Sequence, residues 1–344
     1  MTMKLSFYLN FALLFLCIVS CNDTSHKRIN FRQIKSVTSK SIVRDLQIKM
    51  PGDFIIIDST IVVSDPLSPT NIFKLYDIKT GRFLFEGGLI GHGPTEILTP
   101  CNLDFQNNKL QVYDVNLRKY FRYSINWKDS TIIPEVSNWE KFGQSIYNVV
   151  RLSSNKYVTN SDSSGYLFSY IDPLKEKKSY FGDNPIPSIG NISNSTDVFQ
   201  GTLRTDNQGN LIAYATFQTP YLCLYEIVND KLIKRFDALF ATPSYKITNN
   251  ELVWNNDNVL GFMDMAIVNH NVFLLHSNLT KSEGRGRSAK VLPKMLYKFD
   301  FNGTPLFKYN LDKPMLRITG DKQGRIFGIT LDNDKYNIVE ILIN

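Results

Sequence analysis

The sequence predicts an all-β fold, a six-bladed β-propeller whose blades each hold four antiparallel strands and whose last blade is closed by an N-terminal strand. Three observations carry this expectation. Aromatic and β-branched residues fill runs of four to eight residues separated by Asn, Asp, Gly and Ser, and helical periodicity is nearly absent, which is the pattern of buried strands. The runs recur as groups of about four at intervals of roughly 45 to 60 residues, a period that belongs to repeat architectures. The sixth group is one strand short, and a radial array closes on itself and protects its edges where a solenoid would need capping repeats.

Taken in order, the first group is Phe54–Ile57, Ile61–Asp65, Ile72–Asp77 and, across Thr80-Gly81, Arg82–Phe85. The second runs Asn102–Phe105, Leu110–Asp114 and Lys119–Tyr123, with Asn107-Asn108 as a tight turn. The third begins near Tyr147 and includes Lys156–Thr159 and Tyr166–Tyr170; the fourth holds Leu203–Thr205, Leu211–Tyr214 and Tyr221–Tyr225, with a last turn at Asn229-Asp230. In the fifth, Met263–Ile267 pairs with Val272–His276, and Met295–Phe299 turns at Asn302-Gly303, a strong hairpin dipeptide, into Leu306–Tyr309. The sixth has Met315–Thr319, Arg325–Thr330 and Tyr336–Ile343. Two arm segments, Ile29–Ile34 and Ser41–Ile48, alternate apolar residues and are the candidates for the missing strand.

The N-terminus carries an address. Lys4 precedes an apolar run from Leu5 to Val19 with no acidic residue before Asp23, which reads as a signal peptide over residues 1–20. No later run approaches the ~20 apolar residues that a spanning helix needs. The run ends in Ile18-Val19-Ser20-Cys21, which resembles the bacterial lipobox, so Cys21 is expected to carry lipid and to anchor the mature chain without spanning the bilayer. The expected organisation is therefore 1–20 signal peptide, 21–49 lipidated basic arm including a closing strand, and 50–344 propeller. The expected location is the bacterial cell envelope, at the outer membrane and facing the periplasm, with exposure at the cell surface as the alternative.

The formal charge of +7 is unevenly distributed. One of the 39 basic residues leaves with the signal and seven lie in the arm against Asp23 and Asp45, so the body from Met50 onward holds 31 basic and 30 acidic residues. A nearly neutral body does not support a nucleic-acid footprint. The basic arm fits either attraction to a membrane surface or a solvated linker. Of the four cysteines, Cys17 leaves with the signal and Cys21 takes lipid, while Cys101 and Cys223 form one disulfide or remain two buried thiols, the second being favoured by their apolar strand context.

Catalysis needs a constellation of groups, and the chain is poor in them. The histidines are His26, His92, His270 at a turn and His276 at a strand end, so no shared metal ion is expected, and no cofactor. No G-x-S-x-G elbow, P-loop or zincin motif occurs. Topology nevertheless ranks the surfaces, because the loop between second and third strands and the link to the next blade emerge at one end. That end collects His92 and Glu96, Asp114 and Arg118, the loops Asp65–Asn71 and Asp162–Gly165, and the insertion Asn278–Lys294 with Arg285 and Arg287. These six named side chains mark the expected ligand-binding face. Asp114 and Arg118 equally suit stabilisation of their own turn, and Gly91, Gly93 and Pro94 suit a tight turn with positive φ at the glycines.

One stretch resembles a known family. Gly91-His92-Gly93-Pro94-Thr95-Glu96, Pro100, Leu103-Asp104-Phe105, Leu110–Asp114 and Arg118–Tyr123 resemble the repeat of NHL-type and TolB-like six-bladed propellers, most closely the lipoproteins of that group in Bacteroidetes. The resemblance implies a binding or scaffolding protein whose partner is an envelope protein, peptide or glycan. The other reading of the fold is a hydrolase or lyase with its site in the central channel.

Overall fold

The computed structural model describes residues 29–343 apart from 136–141, 144, 164, 187–188, 190–191, 207, 230 and 286–290. After β1 (Gln33–Val43), strands come in fours. Blade 1 is β2 (Phe54–Ile57), β3 (Thr60–Ser64), β4 (Asn71–Asp77) and β5 (Phe83–Leu89), and blade 2 is β6 (Pro100–Gln106), β7 (Lys109–Asp114), β8 (Lys119–Asn126) and β9 (Thr131–Pro134). Blade 3 is β10 (Val149–Arg151), β11 (Tyr157–Asn160), β12 (Tyr166–Asp172) and β13 (Lys177–Asp183); blade 4 is β14 (Gly201–Thr205), β15 (Leu211–Thr216), β16 (Tyr221–Val228) and β17 (Lys231–Leu239). A two-stranded hairpin, β18 (Tyr245–Thr248) and β19 (Glu251–Trp254), precedes blade 5, which is β20 (Phe262–Val268), β21 (Asn271–His276), β22 (Met295–Asp300) and β23 (Pro305–Leu311). Blade 6 is β24 (Met315–Gly320), β25 (Ile326–Asp332) and β26 (Lys335–Leu342), and β1 adds its fourth strand. The first strands touch in cyclic order β2, β6, β10, β14, β20, β24 and back to β2, so the ring is closed.

The core is six wedges, one between each pair of neighbouring blades. Strand pleating explains why this yields nearly continuous apolar runs, since side chains alternate between faces and both faces are covered. In β15, Leu211, Ala213 and Ala215 pack against blade 5 while Ile212 and Tyr214 pack towards blade 3. Likewise in β3, Val62 faces blade 2 and Ile61 and Val63 face blade 6.

The expected closing strand is β1, which runs from the end of the first candidate segment, across the residues between them, into the start of the second. Its first half pairs parallel with β23, from Gln33 opposite Phe307 to Val37 opposite Leu311. Its second half pairs antiparallel with β26, from Thr38 opposite Leu342 to Val43 opposite Ile338. One strand thereby joins blades 5 and 6 into a single eight-stranded sheet. Before it, Phe31 stacks its ring 4.8 Å from Tyr297 and 5.3 Å from Phe299.

Several tight turns follow from Asn. Asn107-Asn108, Asn249-Asn250, Asn269-His270 and Asn333-Asp334 all have φ between 48° and 62°, the left-handed pair that a two-residue hairpin matched to strand twist requires. The β18–β19 hairpin is one of these and was not among the expected strands. Its Leu252 and Trp254 fill the wedge between blades 3 and 4.

Candidate functional site

At the axis, each blade's first strand or the residue leading into it contributes a polar side chain, and together they link all six blades. The carboxylate of Asp53 accepts the Leu103 N–H at 2.9 Å, joining blades 1 and 2. Asn102 accepts the Val149 N–H at 3.3 Å, and Asn148 donates to the Gly201 carbonyl at 2.8 Å. Arg204 reaches Asp264 at 3.5 Å, Asp264 accepts the Ile318 N–H at 2.8 Å, and Arg317 donates through Nε to the Gly52 carbonyl at 3.2 Å, which returns the circuit to blade 1.

Across the ring, Arg204 donates both Nη atoms to Asp53 at 2.6 Å, a bidentate ion pair that plugs the axis. Burial works against the Arg204 charge, but Asp53 and Asp264 outweigh it and raise its pKa further. Burial raises Asp264, with Arg204 and Arg317 opposing. Past the plug the channel narrows to cavities of about 70 and 30 Å³. Asp104 lines it, and burial pushes its carboxyl up to about 6 although it accepts from the Phe105 N–H and from Gln106. Among the described residues, no three His, Cys, Asp or Glu side chains group closely enough to hold a metal ion.

The end of the ring that carries the inter-blade links holds two larger cavities. One of about 520 Å³ lies between blades 6 and 1 and is lined largely by charged residues, of which Lys335 pairs with Asp45 at 2.6 Å and Lys74 with Asp65 at 3.8 Å. The other, of about 530 Å³, lies between blades 4, 5 and 6. Phe217 from the β15–β16 loop, Phe262 and Met263 from β20, Leu316 from β24, and Leu331 and Tyr336 from the β25–β26 hairpin form apolar walls, with Arg317 as the one basic side chain among the described lining residues. It is the candidate site, being roomy, concave and mostly apolar with few polar groups.

Local packing shapes that cavity. A Cβ on Gly261 would stand 1.9 Å from the Thr216 carbonyl oxygen, so only glycine lets the start of blade 5 lie flush on the β15–β16 loop. Behind the wall, buried His276 sits with Nε2 3.1 Å from the Leu260 carbonyl and Nδ1 3.2 Å from the Tyr297 hydroxyl. A carbonyl only accepts, so Nε2 carries the proton and Tyr297 donates to Nδ1. Burial lowers its pKa to about 4, keeping it neutral. His270, at the opposite end of β21, is a turn residue with φ 57°.

The sequence-predicted face divides into two sectors. His92 is exposed in the link between blades 1 and 2. Glu96 accepts the Gly93 N–H at 2.8 Å and fills the space where Cβ atoms on Gly91 and Gly93 would lie. Of those glycines only Gly91 has positive φ, at 156°; Gly93 is required by the closeness of Glu96 rather than by its backbone. Asp114 is fully buried and accepts the N–H groups of Leu98, Thr99 and Leu117 at 2.5, 2.9 and 2.7 Å. Asp65 and Asn160 do the same at the ends of β3 and β11, accepting from Lys49 and Met50 and from Tyr147 and Asn148. The carboxylate of Asp114 is thus a recurring clamp on the chain entering its own blade. Arg118, with φ 57°, offers its carbonyl to the Phe142 N–H at 3.1 Å. Arg285 belongs to the other sector, where it donates to Asn256 at 2.9 Å beside the large cavity. Arg287 lies outside the described residues, as do Cys21 and His26.

Cys101 and Cys223 are both free thiols. Burial pushes Cys101 up to about 12 and raises Cys223 as well. No described helix is long and apolar enough to cross a membrane. Sequence reasoning missed Phe217, Leu260 to Met263, Arg317, Leu331 and Tyr336. The legible signal was a charged residue inside an apolar first strand, as in Leu203-Arg204-Thr205, Met263-Asp264-Met265 and Leu316-Arg317-Ile318.

Comparison with solved structures places the architecture among propellers. A protein of Bacteroides fragilis described as exported superposes with a TM-score of 0.57 over 92% of this chain and 100% of its own, at 11% identity. A calcium-binding protein, regucalcin, from Agrobacterium tumefaciens gives a TM-score of 0.50 over 90% of this chain and 95% of its own, at 9% identity. A comparison with curated protein sequences finds no match. The sequence pattern described as TolB-like 6-blade propeller-like matches residues 30–323. With that match spanning most of the ring, the chain belongs to the TolB-like six-bladed propeller family.

Proposed function

We propose that this protein is an exported lipoprotein, anchored through Cys21 in the outer membrane and facing the periplasm, that acts as a non-catalytic binding module. The observation that carries the reading is the division of labour between axis and face. The axis is plugged by the Arg204–Asp53 pair, whereas about 530 Å³ of apolar cavity opens on the face that carries the inter-blade links. Chain direction adds to it. β1 runs antiparallel to β26 and ends at the linking face, so the arm reaches blade 6 from the opposite end. A lipid at Cys21, eight residues before Ile29, then holds the opposite end within about 28 Å of the bilayer and turns the cavity outward.

The test has two parts. Cys21→Ser is expected to release the protein from membranes or to leave an unprocessed precursor; normal membrane fractionation of a mature-size product removes the anchor. In lipid-anchored protein on vesicles, a fluorophore at Lys128→Cys is expected to be quenched by bilayer-embedded quencher more strongly than one at Asp334→Cys. The thiols of Cys101 and Cys223, shifted upward by burial, stay unlabelled near neutral pH. Equal quenching, or the reverse order, rules out the outward-facing cavity.

A further inference from the structure

We infer that the cavity between blades 4, 5 and 6 takes a carboxylate carried on an apolar body, with the carboxylate on Arg317. The inference rests on the binding reading above and adds the ligand's chemistry.

Among the described residues, Arg317 is the only basic one lining the cavity. Its guanidinium is fixed from behind, Nε on the Gly52 carbonyl at 3.2 Å and Nη1 on the Leu316 carbonyl at 3.1 Å. Among the described residues no carboxylate lies within ion-pair distance of it. The nearby Asp264 is already engaged by Arg204 and the Ile318 N–H. A half-buried guanidinium that is oriented by backbone, and feels Asp264 only at a distance, has room for a direct ion-pair partner, and a planar fork is completed best by a planar carboxylate.

The rest of the lining selects the remainder of the ligand. Phe217, Phe262, Met263, Leu331 and Tyr336 surround the space with apolar and aromatic surface. A phosphate would bring a second negative charge that no other lining cation answers among the described residues. A single carboxylate with a hydrocarbon or aromatic body satisfies both halves. In the neighbouring cavity between blades 6 and 1, two of the three lining lysines, Lys74 and Lys335, already have acidic partners, and the wall carries Asp45, Asp65 and Asp334, which disfavour an anionic ligand.

Two sources supply this chemistry, a free aliphatic acid and the C-terminus of an apolar peptide, and the probes separate them. Calorimetric titration of the purified full mature chain compares octanoate with octanamide, and N-acetyl-Phe-Leu with its C-terminal amide. At least one acid is expected to bind about tenfold or more tightly than its amide, as loss of a charge-assisted hydrogen bond predicts. The tighter acid identifies the source. Arg317→Gln is expected to erase the preference for acid over amide while amide binding persists in the folded variant, and Arg317→Lys to restore part of the preference. Leu331→Trp, which fills the cavity from a half-buried wall position, is expected to abolish binding of both members of each pair. Equal binding of acid and amide, blocked by Leu331→Trp, overturns the carboxylate assignment and leaves the binding cavity standing. Absence of binding to every probe, or binding indifferent to both Arg317→Gln and Leu331→Trp, overturns the assignment and the cavity's role together.

Discussion

His276 and Asp104 carry opposite pH responses within the same few pH units. His276 ordinarily titrates near 6.5 and is lowered to about 4 by burial, so between those values the unfolded chain binds a proton that the native chain refuses. Its contribution is fully present above 6.5 and is lost as pH falls towards 4. Asp104 is raised by burial from 3.8 to about 6, so there the native chain binds a proton that the unfolded chain lacks, and stability is lost as pH rises through that window. His276→Gln keeps a donor for Leu260 and an acceptor for Tyr297. It is expected to reduce the loss of stability between pH 7.5 and 4.5 by about 2–3 kcal/mol relative to the parent. Asp104→Asn is expected to gain stability relative to the parent as pH rises from 4 to 6.5, by about 2 kcal/mol once screening by channel solvent is allowed for. Urea midpoints across pH check both, and curves that superimpose on the parent's mean that burial does not control these groups. The role of His276 was partly legible, as a strand end far from His270. Its hold on Leu260 was not, because that partner comes from outside its own hairpin.

At the scale of elements, β1 does two jobs with one run of eleven residues. Its pairing with β26 covers an apolar edge that folded proteins avoid exposing, and its pairing with β23 ties the same strand to the neighbouring blade. Val37 fills the wedge between blades 5 and 6, and Val43 the wedge between blades 6 and 1. Removing residues 30–43 from the mature chain is expected to lower stability by several kcal/mol of the roughly 5–15 available to a typical domain. In the intact protein, amides of residues 34–43 are expected to resist hydrogen exchange about as well as those of β26. An unchanged melting temperature on truncation, with fast exchange in this stretch, means that the ring closes without the strand. The need for a closing strand was legible in the missing partner of Tyr336–Ile343. Its register was not, since both flanking segments alternate apolar residues, and the choice between them depends on where blades 5 and 6 converge. The Asp114 clamp was legible only as a turn; that Asp65 and Asn160 repeat it emerges when the three links are superposed in space.

Across the whole molecule, the hydrogen-bond circuit at the axis makes the six wedges one body. Its cross-link, Arg204 on Asp53 and Asp264, is buried, and removing one member leaves uncompensated charge in a low-dielectric site. Arg204→Met is expected to cost about 3–5 kcal/mol in urea unfolding, and adding Asp53→Asn to recover part of that loss, because the pair is worth less than the orphaned charge costs. A cost under about 1 kcal/mol would mean that water reaches the axis and solvates the acids.

The sequence alone determined the blade count, the repeat, the closed ring and the Asn-rich turns. Each of these depends on interactions within one hairpin or on the simple requirement that strand edges be covered. Both larger cavities lie at the end that carries the inter-blade links, the end that strand topology ranks first. What only the tertiary structure decided is which part of that face is a cavity and which described charge faces into it. His92, Glu96 and Asp114 stand in a seam whose polar groups satisfy one another, whereas Phe217, Met263, Arg317 and Leu331 meet from three blades. The distance along the chain between Phe217 and Leu331 carries no local signal. Their meeting is set by the curvature that six wedges impose when the ring closes.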